Sequence, residues 1–96
     1  MSRAVVVRYR ARADAADENE RLVRAVFDEL AAQRPEGLRY SAFRLDGDSF
    51  VHVAVIEGDT NPLDALPAFQ AFVSGVGGRC EEGPAPAPGR VIGSYP

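Results

Sequence analysis

The chain has no tryptophan, one cysteine, one histidine, one methionine and, among its eleven basic residues, no lysine. With Cys80 alone, no internal disulfide forms, and the fold cannot depend on an oxidising compartment. One His and one Cys far apart in sequence do not make a metal site. No stretch approaches the roughly 20 apolar residues of a membrane span, so no membrane partner is expected. The longest apolar run near the start, Ala4 to Val7, passes straight into charge; it is not expected to act as a secretory signal, and the default location is the cytoplasm. A basic field is also lacking. The formal charge is −3, which argues against a nucleic-acid partner, and Arg8, Arg10 and Arg12 alternate along one strand face as a solvated stripe. The all-Arg usage, with abundant Ala, Gly and Pro, reads as the coding composition of a GC-rich genome. Gly75-Val76-Gly77-Gly78 lacks the Lys-Ser/Thr of a phosphate loop and follows no strand. No nucleotide, flavin or haem motif appears, so no cofactor is expected.

What is present suits one globular domain spanning residues 1–96. Hydrophobic residues make up 46 % and charged residues 26 % of the chain. Ala4 to Arg10 is rich in β-branched residues and opens the chain as a strand. Asp14 and Asp17 are candidate N-caps; Asp17 with Glu20 makes the better capping box. Leu22, Val23, Val26, Phe27, Leu30 and Ala31 then recur at helical spacing until Pro35 and Gly37. Leu38 to Leu45 and Phe50 to Glu57 read as a hairpin turning at Asp46-Gly47-Asp48-Ser49. A two- or four-residue loop sets Leu45 opposite Phe50, Phe43 opposite His52, Ser41 opposite Ala54 and Arg39 opposite Ile56. Asn61 caps a second helix with Pro62 at its first position. Its stripe is Leu63, Leu66, Phe69, Phe72, Val73 and Val76, with a break at Pro67 and an end at Gly77-Gly78. Glu82 to Gly89, with three prolines, reads as a loop, and Arg90 to Tyr95 as a short edge strand.

The order β-α-β-β-α-β is that of an α+β ferredoxin-like sandwich, with both helices on one face of a four-stranded antiparallel sheet. The other face is then expected to be polar, yet both sides of the hairpin are largely apolar. Leaving that face in water forgoes about 1.5–3 kcal/mol for each large side chain. A homodimer packed through the open sheet face removes the cost.

The opening strand "VVVRYRA", the end of the first helix at "AAQRPEGLRY", the hairpin "FRLDGDSFVHVAVIEG" and "PAFQAFVSGV" in the second helix carry a likeness to a known group. The chain resembles the antibiotic biosynthesis monooxygenase type of the dimeric α+β barrel superfamily, over nearly its whole length. The resemblance implies two chains closing a barrel, helices outside, with a ligand cavity between each sheet and its helices. It implies a pocket lined by Phe43, Phe50, His52 and Ile56 from one hairpin face, shared by Ser41, with Phe69 and Phe72 opposite. It also implies cofactor-independent oxygenation, in which a bound substrate anion reacts directly with oxygen, of a small hydrophobic aromatic or polyketide-like compound. The chain departs from the usual catalytic set. It lacks the Trp that several active members carry near the place of Ile56, it has no His in the second helix, and Ala68 stands where other members have a His. A non-catalytic ligand-binding or structural dimeric module, or an isomerase on the same barrel, stays open beside the oxygenase.

His52 is the candidate base, because an imidazole is readily tuned near neutrality. A mid-strand histidine on an apolar face is more often a satisfied pocket or interface residue. Ser41 lies diagonally from it at roughly 7–8 Å, too far for a direct bond, and no Asp completes a triad. Tyr9 and Tyr40 are candidates for hydrogen-bonding a quinone-like ligand, although a strand tyrosine is more often packing. Arg39 and Arg44 suit an enolate or carboxylate, but more often form surface pairs. Cys80 reads as structural.

Overall fold

The computed structural model describes residues 2–96. Strand β1 (Ser2–Ala11) leads into helix α1 (Ala16–Gln33), the hairpin β2 (Leu38–Arg44) and β3 (Ser49–Glu57), a 3-10 turn (Pro62–Ala65), helix α2 (Pro67–Arg79) and strand β4 (Cys80–Gly89). The sheet runs β2-β3-β1-β4 with every pair antiparallel. This is the expected β-α-β-β-α-β ferredoxin-like arrangement. The valines and aromatics of β1 and β3 suit a pleated, half-buried surface, and the two central strands take them. Along β3 burial alternates strictly: Phe50, His52, Ala54 and Ile56 are buried, while Val51, Val53 and Val55 are only half-buried. Phe50, Ala54 and Ile56 meet Val23 and Val26 of α1 and Phe72 and Val76 of α2 in one core, and His52 stacks on Phe72 beside them. The second set lies on the face without helices.

The hairpin register differs from the expected one by a single residue. Leu45 N–H bonds to the Ser49 carbonyl at 2.9 Å, and Arg44 pairs with Phe50. The loop is therefore Asp46-Gly47-Asp48, with Gly47 at φ 81° supplying the left-handed position that a three-residue hairpin turn requires. An odd loop length turns the whole of β2 over relative to β3. Tyr40, Ala42 and Arg44 share the helix face with His52, while Arg39, Ser41 and Phe43 sit with Val51, Val53 and Val55 on the open face. Arg44, on the covered side, ties the hairpin end to α1 through Asp17 (3.0 Å) and Glu20 (2.9 Å).

Three boundaries also move. Helix α1 is capped by Ala15 without a side-chain bond, and Asp17, inside its first turn, serves Arg44 instead of the capping box. Asn61 does accept from Leu63 N–H at 3.0 Å, but the turn it caps is a short 3-10 segment, and Pro67 is the first residue of α2 rather than an interior break. Gly77 and Gly78 do not end α2, which runs on to Arg79. Replacing Asn61 by Ala is expected to cost about 1 kcal/mol, read from the urea midpoint.

The stretch expected as a loop, β4, pairs with β1, Val5 opposite Pro88 and Val7 opposite Pro86, at the sheet edge. Pro86 and Pro88 are spaced by two in the regular part of this ladder, so both nitrogens can point off the edge, where no ladder bond is needed, and Pro84 falls at the bulge opposite Tyr9. Arg90 to Tyr95, expected as a strand, is not one. It crosses the open face instead, where Arg90 to Ser94 form a groove with Ala4, Arg39, Ser41, Val53 and Val55. Arg39 Nη1 lies 3.5 Å from Ser94 Oγ.

Candidate functional site

Between the sheet and α2 lies a cavity of about 270 Å³. Its floor is Val5, Val7, Tyr9, His52 and Ala54 of the central strands, with Tyr40 beside them, and its roof is Phe69, Phe72, Val73 and Val76 of α2. Asn61 and Leu63 close one end. Exposed Val73 and the exposed prolines Pro84 and Pro86 form its rim, so it opens between α2 and β4. The volume falls slightly below the common range of about 300–1,000 Å³ for drug-sized ligands, and suits a smaller molecule. The lining is almost wholly apolar. Its polar groups are two phenols, one imidazole and one amide.

The phenols and the imidazole are bonded to one another. Tyr9 Oη lies 2.8 Å from His52 Nε2, and Tyr40 Oη lies 2.5 Å from His52 Nδ1. Behind them Asn19 Nδ2 donates to Tyr9 Oη at 2.8 Å, and Arg79 Nε donates to Asn19 Oδ1 at 3.0 Å. Asn19 is fully buried on the apolar stripe of α1, four residues before Val23. Arg79 reaches it by folding back under the end of α2, where it also donates to the Phe72 carbonyl at 2.7 Å. Gly75 makes room for this: a Cβ there would stand 2.7 Å from the guanidinium. The rings are held by stacking, Tyr9 on Phe50 at 5.3 Å, Tyr40 on Phe27 at 5.1 Å and His52 on Phe72 at 5.3 Å between centroids.

Burial governs the charge state of these groups. It pulls His52 down from 6.5 to about 4, so the imidazole is neutral at physiological pH. Burial pushes Tyr9 up to about 12, against a smaller opposing effect of the Asn19 bond, and pushes Tyr40 up as well. The site therefore holds neutral hydrogen-bonding groups rather than a poised ion. Burial likewise raises the Cys80 thiol, which leaves it without thiolate character. Among the described residues no group of three His, Cys, Asp or Glu could hold a metal ion.

Of the residues expected at the site, His52, Phe69 and Phe72 line the cavity. Ser41 and Phe43 do not: the flipped register puts both on the open face, where Phe43 is 53 % exposed. Phe50 is on the helix face but packs against Tyr9 and borders a groove between α1 and β2. Ile56 is 1 % exposed, buried in the core beyond the cavity. Asn19 and Arg79 escaped the sequence reading. The available signal was an amide on the buried stripe of an otherwise amphipathic helix.

No protein-family model matches the chain, and no curated protein sequence does. Solved structures do. Rv0793 from Mycobacterium tuberculosis is similar over the whole of both chains, with a TM-score of 0.79 at 21 % identity. An antibiotic biosynthesis monooxygenase aligns over 95 % of this chain and 99 % of its own, with a TM-score of 0.70 at 20 % identity. The chain has the antibiotic biosynthesis monooxygenase fold. A third structure with that fold, SnoaB, a cofactor-independent oxygenase from Streptomyces nogalater, aligns over 99 % of this chain and 97 % of its own, with a TM-score of 0.68 at 19 % identity. At these identities the likeness is one of fold, and the chemistry rests on the residues lining the cavity.

Proposed function

We propose that this protein binds a small hydrophobic aromatic or polyketide-like compound between its sheet and α2, and oxygenates it without a cofactor. The observation that supports this reading is the cavity itself: about 270 Å³ of apolar space with one cluster of neutral hydrogen-bonding groups, Tyr9, His52 and Tyr40, in its wall. The fold shared with SnoaB, a cofactor-independent oxygenase, is consistent with it. In that chemistry a substrate bearing an acidic CH₂ beside an aromatic ring or carbonyl gives up a proton to solvent at the open rim of the cavity, neither His52 nitrogen being free to take it, and its carbanion-enolate reacts with O₂. The carbon becomes a carbonyl, the second oxygen leaves as water with both hydrogens, and no outside reductant is needed. The protein's part is to desolvate the substrate and to hydrogen-bond the oxygen on which negative charge develops.

A second reading has its own support. Both His52 nitrogens are bonded within the protein, which leaves no free base against the ligand and favours binding without turnover. Oxygen uptake separates the two. With 2-tetralone, which carries an acidic CH₂, the wild type is expected to consume oxygen, and Tyr40→Phe is expected to lower the rate about a hundredfold, the usual cost of losing one oxyanion donor. Saturable binding with no uptake would establish the binder instead.

The working unit we propose is a homodimer joined through the open sheet face. Val51, Val53, Val55 and Val6 are half-buried there, beside exposed Phe43. A patch of this kind on a small domain is better covered than left in water.

A further inference from the structure

We propose that Asn19 and Arg79 set the direction of the Tyr9–His52–Tyr40 chain, so that Tyr40 turns its hydroxyl hydrogen into the cavity. The cavity then selects a ligand whose polar atom at that point is an acceptor: a ketone, quinone or enolate oxygen. This rests on the cavity being a ligand site, as proposed above.

The direction follows from counting donors. A guanidinium only donates, so the Asn19 atom facing Arg79 Nε at 3.0 Å is the amide oxygen. The amide nitrogen must then face Tyr9 Oη, and it donates there at 2.8 Å. Arg79 thereby decides an orientation that an isolated amide leaves open. Tyr9 Oη, already accepting from Asn19, has one hydrogen to place, and His52 Nε2 at 2.8 Å is its acceptor. A neutral imidazole carries one N–H, so the hydrogen moves to Nδ1 and is donated to Tyr40 Oη at 2.5 Å. Tyr40 has spent its accepting position on His52. Its own hydrogen is left over, and Tyr40 lines the cavity.

The reverse direction fails at the other end. If Tyr40 donated to Nδ1, His52 would donate through Nε2 to a Tyr9 oxygen that already receives Asn19. The Tyr9 hydrogen would then have no acceptor, because both partners of its oxygen, Asn19 Nδ2 and His52 Nε2, would be donors, in a residue that is 5 % exposed. An orphan donor there is the costly alternative. In the favoured direction the leftover hydrogen belongs to Tyr40, which is only half-buried and lines the cavity, where water or a ligand can accept it. Asn19 and Arg79 never touch the ligand in this scheme. They are positioning residues.

The inference has an inverting test. In Asn19→Asp the shape is kept and the charge beside Arg79 holds the new carboxylate ionised, hence acceptor only. It takes the Tyr9 hydrogen, His52 turns Nε2–H toward Tyr9, and Tyr40 donates to Nδ1, which leaves only its oxygen for the ligand. The probes are 1-tetralone, which accepts; indole, which donates; and tetralin, which does neither. The readouts are affinity and the carbonyl stretch of bound 1-tetralone in difference infrared spectra. The wild type is expected to bind 1-tetralone about fivefold more tightly than tetralin, with the stretch lowered by a hydrogen bond. Tyr40→Phe abolishes both effects. Asn19→Asp also restores the unbonded stretch, and in addition moves the preference to indole, which a merely structural role for Asn19 would not do. A stretch that stays lowered in Asn19→Asp, or that is never lowered in the wild type while 1-tetralone and tetralin bind equally, overturns the direction and leaves the cavity reading standing. Failure of all three probes to bind the wild type overturns the cavity reading, and this inference with it.

Discussion

Between pH 7 and pH 4 the protein is expected to lose about 3 kcal/mol of stability through His52 alone. The imidazole is 5 % exposed and sits between two phenols in an apolar wall. Its folded value of about 4 stands below the ordinary 6.5 because charging it would strand a cation away from water. The unfolded chain takes up a proton as the pH falls through 6.5, while the folded chain does not until about 4. Over that window the unfolded state binds more protons, so stability falls with falling pH, by at most about 1.4 kcal/mol per unit, and levels off below 4. Above pH 6.5 the contribution is fully present. Urea denaturation of the wild type and of His52→Gln across pH 7.5 to 4 measures it. Gln keeps one donor and one acceptor but does not titrate, so the two curves should diverge as the pH drops. The arginine-paired carboxylates Glu18 and Glu20, whose acid forms are disfavoured by Arg21 and Arg44, add an acid dependence of their own in the same direction. They are common to both proteins and cancel in the difference. Parallel curves would mean that His52 is not held neutral, and would remove the single-hydrogen premise on which the direction of the tyrosine chain depends. On the alkaline side Tyr9 acts with the opposite slope: stability is present below pH 10 and is lost as the pH rises toward about 12.

Much of the frame was legible in the sequence because it is written in periodicity. The stripe from Leu22 to Leu30, the β-branched opening strand and the Gly between two Asp residues each point to one element, and together they impose the order of the sandwich. What was not legible turned on single residues. A loop of three and a loop of two or four have the same composition here, yet the odd length reverses β2 and decides whether Phe43 or Tyr40 stands beside His52. Prolines at 84, 86 and 88 resemble a loop, and only an edge position beside β1, with Pro86 and Pro88 spaced by two and Pro84 at a bulge, lets a strand hold them. At the site His52, Phe69 and Phe72 could be named from type and face, and Tyr9 and Tyr40 from type alone, since the expected register put Tyr40 on the far side of the hairpin from His52. Asn19 and Arg79 are sixty residues apart, and meet only because the end of α2 is packed beside the start of α1. No local pattern reports that meeting; a buried amide on an apolar stripe was the nearest thing to a sign of it.

Val53→Asp is expected to raise the dimer dissociation constant by a factor on the order of 10³. Val53 lies in the middle of β3 on the face without helices, flanked by Val51 and Val55, with Val6 opposite it on β1 and Ser41 on β2. In a lone chain the position is only half-buried, so a carboxylate there keeps much of its hydration, and the fold loses no more than about 1 kcal/mol of strand preference. In a dimer joined through this face two such carboxylates lose water together across the two-fold axis, each at roughly 2 kcal/mol or more. Their sum, about 4 kcal/mol, corresponds to the thousandfold change. Sedimentation equilibrium of the wild type and the variant reads it directly, with far-ultraviolet circular dichroism showing that the variant is still folded. Gln33→Asp, at the exposed end of α1, adds the same charge away from the face and should leave the association unchanged. The tail makes the prediction sharper. Arg90 to Ser94 already cross one part of the face, but Ile92 is 92 % and Tyr95 90 % exposed, so the tail leaves apolar side chains outward rather than sealing the sheet in its own chain. If the wild type sediments as a monomer, the half-buried valines need no second copy and the proposed interface falls. If both proteins dimerise equally well, the chains meet elsewhere, and the barrel in which two open sheets close on each other is not the form this protein takes.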